Sequence, residues 1–235
     1  MSQTKLNFID SAELADEMKL ASNAGQDNVA GLAGVVEIRD AGTGELLLRK
    51  KNIFVLRGRT FLLEKLFNDQ VAADSGYVQN LARKINLFRI GSGGTPEGSP
   101  FAPTPPSPLD MNLATPIAFR SVVQDDVDTH LSEEEAAVYH EPMIDSVDNT
   151  ITHFFAKTFE QLTPPLVLNK ATNETYRLIT LMLSEKDCRE QFINELGLCI
   201  STDEFGDIEL FSRLTFSTEH MTGNKSLLIS YYTYA

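Results

Sequence analysis

The sequence predicts a mainly β protein: an antiparallel β-sandwich or barrel-like domain with a few short helices. Three observations carry this. Runs rich in β-branched residues, leucine and aromatics recur through the second half with turn formers between them. A hydrophobic content of 42% over 235 residues is enough for one sizeable core. Apolar residues at helical spacing are confined to short stretches. The chain divides into an N-terminal arm, residues 1–30, and a β-rich domain, residues 31–235. That domain carries a Pro-rich loop over 96–116 and an acidic insertion over 125–141.

The arm contains one amphipathic helix candidate, Asp10 to Leu20. Asp10 and Glu13 stand at capping-box spacing, and Leu14, Ala15 and Met18 form a thin stripe. A helix of about 11 residues is marginal alone, and Ala21 to Ala30 reads as a linker, so the arm is expected to dock on a neighbour. From Gly31 the pattern becomes β. Val35, Val36 and Ile38 lead through the turn Asp40 to Gly44 into Leu46, Leu47 and Leu48, which is a hairpin. A third run, Ile53 to Leu56, precedes Arg57-Gly58-Arg59. Phe61, Leu62, Leu63, Leu66 and Phe67 then recur at helical spacing with Thr60 available as cap.

A strand over Ile85 to Ile90 ends in Gly91-Ser92-Gly93-Gly94. The next segment holds seven of the ten prolines: Pro96, Pro100, Pro103, Pro105, Pro106, Pro108 and Pro116. Proline has no N–H for a ladder, so this is an extended surface loop. Ile117 to Val123 is strand-like, and Ser132 with Glu135 marks a short capped helix in the acidic insertion. Strands follow at Thr150 to Phe159, Tyr176 to Leu183, Ile193 to Ile200, Ile208 to Phe216 and Leu227 to Tyr234.

Charge and motifs exclude several functions. Acidic residues outnumber basic ones by 33 to 20, and a net charge of -13 repels a phosphate backbone, so nucleic acid is not an expected partner. No run of about 18 apolar residues suggests a membrane span, and the first residues lack the order of a signal peptide. The chain is expected to stay in the cytosol where it is made. Cys188 and Cys199 lack metal or disulfide spacing and read as reduced packing residues. The Gly91–Gly94 cluster has Pro96 where a phosphate-binding helix would begin, so it reads as a tight turn.

Asp125, Asp126, Asp128 and His130, with Glu133 to Glu135 and His140, are the densest set of hard ligands. Their spacing does not match a calcium loop, and a solvated acidic segment is the ordinary reading. His153 and His220 stand isolated, and no serine has a nucleophile-elbow context. No catalytic residue, metal ligand or cofactor is assigned. Basic charge gathers at Arg39, Arg49, Lys50, Lys51, Arg57, Arg59 and Lys65. Against the acidic insertion this fits either head-to-tail contacts between copies or solvated edges that discourage wrong strand pairing.

Two blocks carry a resemblance. The first comprises Val35 to Asp40, Thr43-Gly44-Glu45, Lys51-Asn52-Ile53, Gly58-Arg59, Leu62-Leu63, Leu66-Phe67, and Ile85 to Gly91 with Gly93. The second comprises Asn194 to Leu198, Leu210 to Phe216, Lys225 and the final strand through Tyr234. In this order they resemble structural proteins of tailed-bacteriophage virions from the tail, baseplate or neck. The resemblance covers roughly half the chain and implies a subunit made in the host cytoplasm and built into the virion tail. Its expected partners are copies of itself, in a homo-oligomeric ring, and other virion proteins. The candidate assembly contacts are Leu6, Leu14, Met18 and Leu20 in the arm, Arg57 and Arg59, and Phe101, Leu109 and Met111 in the loop. A host-recognition module binding a receptor or glycan is the alternative, since a β scaffold with long loops can present a sugar site. The absence of Trp weighs against it.

Overall fold

The computed structural model describes residues 33–67, 83–159, 166–169, 174–184, 186–188, 190–223 and 225–234. The protein is mainly β, with an antiparallel sheet curled into a half-barrel and two helices among the described residues. In chain order the elements are β1 (Ala33–Asp40), β2 (Leu46–Phe54), α1 (Leu56–Phe67), β3 (Lys84–Gly91), β4 (Pro116–Ile117) and β5 (Arg120–Val123). They continue with α2 (Glu133–Ala136), β6 (Tyr139–Ile144), β7 (Ile151–Thr158), β8 (Leu166–Asn169) and β9 (Glu174–Leu183). The last three are β10 (Phe192–Ser201), β11 (Glu209–His220) and β12 (Leu227–Tyr234).

The strands run in the order β5-β7-β3-β10-β11-β2-β1-β12-β9-β8, with β4 on β3 and β6 on β7. Strand β2 makes the corner. It pairs with β1 from Leu46 to Asn52, then crosses so that Ile53 and Phe54 pair with Arg213 and Ser212 of β11. Curling brings the two halves of the sheet onto one core. Val36, Ile38, Leu181, Leu183 and Ile229 come from one half; Phe88, Ile90, Leu196, Ile200 and Leu214 come from the other. Fully burying one such side chain contributes roughly 1.5–3 kcal/mol. At the corner the core carries a polar brace, in which Asn52 donates to the Tyr231 hydroxyl and that hydroxyl donates to Ser212 Oγ at 3.1 Å. Burial, with no compensating charge, pushes the Tyr231 phenol well above its ordinary range.

Local sequence explains most elements. In the β1–β2 turn, Asp40 Oδ1 accepts from the backbone N–H groups of Gly42 (2.9 Å) and Thr43 (2.7 Å). Helix α1 docks by setting Phe61 edge-on against Phe211 at 6.4 Å. Gly58 is required there, because a Cβ would collide with the Phe211 carbonyl. In α2, Ser132 caps the Glu135 amide and Glu135 caps that of Ser132, the reciprocal box expected from the spacing.

Three expectations are corrected. The runs Leu46–Leu48 and Ile53–Leu56 are not separate strands. Arg49 to Asn52 keep the strand going: their backbones stay paired with β1, Arg49 lies 3.5 Å from Glu37, and Lys50 Nζ donates to the Thr215 carbonyl at 3.1 Å. Leu56 already belongs to the helix, so Thr60 is not its cap; its hydroxyl donates back to the Leu56 carbonyl at 3.1 Å. The acidic insertion ends at 138, because Tyr139 to Ile144 pair with β7 as an edge strand. The helix candidate Asp10–Leu20 lies outside the described residues.

Candidate functional site

The outer face of β3, β10 and β11 carries a polar network that is covered by the Pro-rich loop. Across these three strands, Arg89, Gly197 and Arg213 stand in one row, and Gly91, Glu195 and Thr215 in the next. Glu195 is fully buried. Its Oε1 accepts from the backbone N–H of Gly93 (3.1 Å) and Thr115 (2.8 Å), so one oxygen closes both ends of the loop. Its Oε2 accepts from Ala114 N–H (3.1 Å) and from Arg213 Nε (3.0 Å) and Nη2 (2.6 Å). Arg213 Nη1 donates to Asp110 in the loop at 2.7 Å. Burial lowers the Arg213 pKa, but its bonds to Asp110 and Glu195 outweigh this and the net shift is upward.

Neighbouring groups extend the lock. Asn194 Oδ1 accepts from Gly94 N–H at 2.6 Å, while its amide donates to Thr95 Oγ1 (2.8 Å) and Thr218 Oγ1 (3.1 Å). A Cβ on Gly94 would strike the Asn194 carbonyl. Along β11, Thr215 donates to the Thr104 carbonyl at 2.7 Å and the Thr218 amide to that of Pro100 at 2.8 Å. The Leu56 amide donates to the Pro108 carbonyl at 2.7 Å. Arg89 forms a bidentate pair with Glu141 and donates to Asn112 Oδ1 at 3.3 Å. The loop therefore does not wait for a partner to order it. It is fixed by its own chain.

What the lock presents is apolar. Phe101, Leu109 and Met111 are 81%, 74% and 82% exposed, although the backbone beside them is pinned. These three candidate contacts form the crest of the loop. Arg57 and Arg59 are placed differently. Arg57 pairs with Glu209 and approaches Glu64 at 3.7 Å, and Arg59 Nε donates to the Phe54 carbonyl at 2.9 Å. Leu6, Leu14, Met18 and Leu20 lie outside the described residues. The basic cluster of the first hairpin is partly neutralised, since Arg39 and Arg49 stand 3.4 and 3.5 Å from the buried Glu37.

Another buried carboxylate, Asp187, ties the β6–β7 hairpin to the region after β9. It accepts from Tyr139 Oη (2.7 Å), Lys157 Nζ (2.9 Å), and the amide and hydroxyl of Ser184 (2.9 and 3.0 Å). Burial and then the Asp187 charge push the Tyr139 phenol well above its ordinary range. Cys188 and Cys199 are free and buried, and burial pushes both thiols up to about 12.

His153, isolated in sequence, has neighbours in space. Its Nδ1 lies 2.7 Å from Ser121 Oγ on β5 and its Nε2 lies 3.0 Å from Asp145 Oδ2. This relay sits on the open face of the hairpin. His220 stacks on Phe192 at 4.0 Å and His140 on Phe205 at 3.7 Å. Among the described residues, no three His, Cys, Asp or Glu side chains converge as metal ligands. Asp126 instead accepts from the Asp128 amide at 3.0 Å as a local turn. No helix among them is long and apolar enough to cross a membrane.

A cavity of about 330 Å³ opens between the two halves of the sheet. Phe61, Ile85, Phe159, Ile179 and Leu198 supply apolar walls; Lys65, Arg83, Lys84 and Arg177 supply cationic ones.

Of this site, sequence reasoning found the glycine turn and the exposed loop residues. It missed Glu195, Arg213, Asp110 and Arg89 as a unit. The available signal was a charged residue inside an otherwise apolar strand, in Ile193 to Ile200 and again in Leu210 to Phe216. Comparison with protein-family models, curated proteins and solved structures found no match in any of the three.

Proposed function

We propose that the chain is a non-enzymatic structural subunit of a tailed-bacteriophage particle, built into the tail, baseplate or neck through contacts with copies of itself and other virion proteins. The observation that carries this reading is the locked loop. A buried carboxylate, two arginines and an asparagine side chain hold a long segment against the sheet, and the segment holds three large apolar side chains out to solvent. Rigid presentation of apolar area suits association, because little ordering entropy remains to be lost when a partner covers it. The two blocks that resemble virion proteins also meet here: Gly91 and Gly93 close the first, and Asn194, Glu195 and Arg213 belong to the second.

Peptide mass spectrometry of purified tailed particles from cells producing the chain should find it in stoichiometric amount. The triple variant F101S/L109S/M111S should fold, with a stability change within about 0.5 kcal/mol as for exposed positions, yet fail to enter particles. Absence of the chain from purified particles overturns the proposal, as does normal incorporation of the triple variant.

A further inference from the structure

We infer that Ser121 is a nucleophilic modification site, activated by His153 and positioned through Asp145, which accepts one acyl group from an activated donor such as an aryl ester or a thioester. The inference does not depend on the assembly reading. Strand register builds the site: Ser121 of β5 stands directly opposite His153 of β7, and Met143 of β6 stands opposite His153 on its other side, so all three share one face. Asp145 follows β6, where its amide donates to the Ile151 carbonyl at 2.9 Å and closes the turn into β7. Phe155 stands edge-on to the His153 ring at 6.3 Å and restricts its rotation. Ser121 is exposed, so a donor in solution reaches it.

The bonds admit one arrangement of protons. Asp145 Oδ1 accepts from the amides of Asp148 (2.8 Å) and Val147 (2.7 Å), and these bonds favour its ionised form. A carboxylate only accepts, so the proton of the neutral His153 ring belongs on Nε2, 3.0 Å from Asp145 Oδ2. Nδ1 is then a bare acceptor 2.7 Å from Ser121 Oγ, and the hydroxyl donates to it. Nucleophile, base and orienting carboxylate thus stand in the order that acyl transfer uses. In the reaction Ser121 Oγ bonds to the acyl carbon, the hydroxyl proton passes to His153 Nδ1, and the bond from that carbon to the phenolate or thiolate breaks. The leaving group then takes the proton from Nδ1. An open strand face supplies little binding energy, so the donor itself must be activated. The product is an ester of an alkyl alcohol, a far poorer leaving group than a phenolate, so the acyl group stays and the site reacts once.

The test treats the full-length chain with para-nitrophenyl acetate and maps the acetyl groups over time by digestion and mass spectrometry, with the exposed Ser99 as internal reference. Acetylation of Ser121 is expected about 100-fold faster than that of Ser99, the contribution of one general base. His153→Ala should bring the Ser121 rate down to that of Ser99. For the positioning role of Asp145, nitrogen NMR of the His153 ring should show the proton fixed on Nε2 in the wild type and shared between both nitrogens in Asp145→Asn, with a slower Ser121 reaction in that variant. Three results overturn the inference: Ser121 acetylated no faster than Ser99; a Ser121 rate unmoved in either variant; or a neutral wild-type His153 ring with its proton on Nδ1.

Discussion

The loop 92–116 and the acidic segment 124–138 are both long connections rich in polar groups, yet they are stabilised in opposite ways. In the loop, the decisive carboxylate is borrowed from a strand about 80 to 100 residues away, fully buried, and satisfied by three backbone amides and a guanidinium. In the acidic segment the carboxylates serve their own backbone: Asp126 holds Asp128, and Glu135 holds Ser132. The comparison shows that the same side-chain chemistry fixes tertiary structure when desolvated and only local turns when wet. A buried hydrogen-bonded charge cannot retreat to water, whereas an exposed one can.

The largest expected effect follows from breaking the buried side of that comparison. Arg213→Met leaves the buried Glu195 carboxyl without its cation, which should cost about 3–5 kcal/mol. Urea unfolding should show a lower midpoint with little change in slope, and limited proteolysis should open first between Pro96 and Pro116. The double variant Arg213→Met/Glu195→Gln should recover part of the loss, because a neutral amide needs no cation. A cost below about 1 kcal/mol for the single variant would mean that the backbone amides alone hold the loop.

Next comes the buried carboxylate of Asp187. Tyr139→Phe removes one of four donors to Asp187, and a hydrogen bond to a charged group is worth about 1.5–3 kcal/mol. The lower end is expected, since Lys157 and Ser184 remain. Spectrophotometric titration of the folded wild type and the Tyr139→Phe variant should differ, by one phenol, only at strongly alkaline pH, where the raised Tyr139 group titrates. A difference already visible in the ordinary tyrosine range would contradict its burial against Asp187.

These residues also mark where the sequence was readable. The hairpin at Asp40 to Gly44, the Ser132–Glu135 cap and most of the strands were legible because their causes are local: a turn former, a reciprocal spacing, a β-rich run. The β6 strand was not, since Tyr139 to Ile144 contains Pro142 and follows acidic residues, and only pairing with β7 makes it a strand. Glu195 and Arg213 were legible one at a time as charges in apolar runs. Their pairing with Asp110 was not, because no rule of spacing links positions 110, 195 and 213. The exposed crest was half legible: proline content announced a loop, but not that its own chain would fix it.

The wet side of the comparison should yield smaller effects. Ser132→Ala removes half of the α2 capping box, for a cost of about 0.5–1 kcal/mol. Because α2 has four residues and buries none of them, the loss should appear as faster hydrogen exchange at the Glu135 amide rather than as a change in global unfolding. A shift of the whole transition would show that the segment is coupled to the core.

The smallest effect concerns Asp145, at the turn between β6 and β7. The Asp148 amide, then His153, then the Val147 amide hold its carboxyl down at about 2. A folded value below the ordinary 3.8 means that the ionised form is the one the turn binds. Its contribution is therefore complete above the ordinary value and is lost as pH falls through about 2, a window well below neutrality. Carboxyl chemical shifts followed by NMR should place the Asp145 midpoint near about 2. In His153→Ala the midpoint should rise but stay below the ordinary value, because both backbone donors remain at 2.8 and 2.7 Å. An unmoved midpoint in that variant would show that the contact with His153 contributes nothing in solution, and that even here, on the wet face, backbone amides alone set the charge.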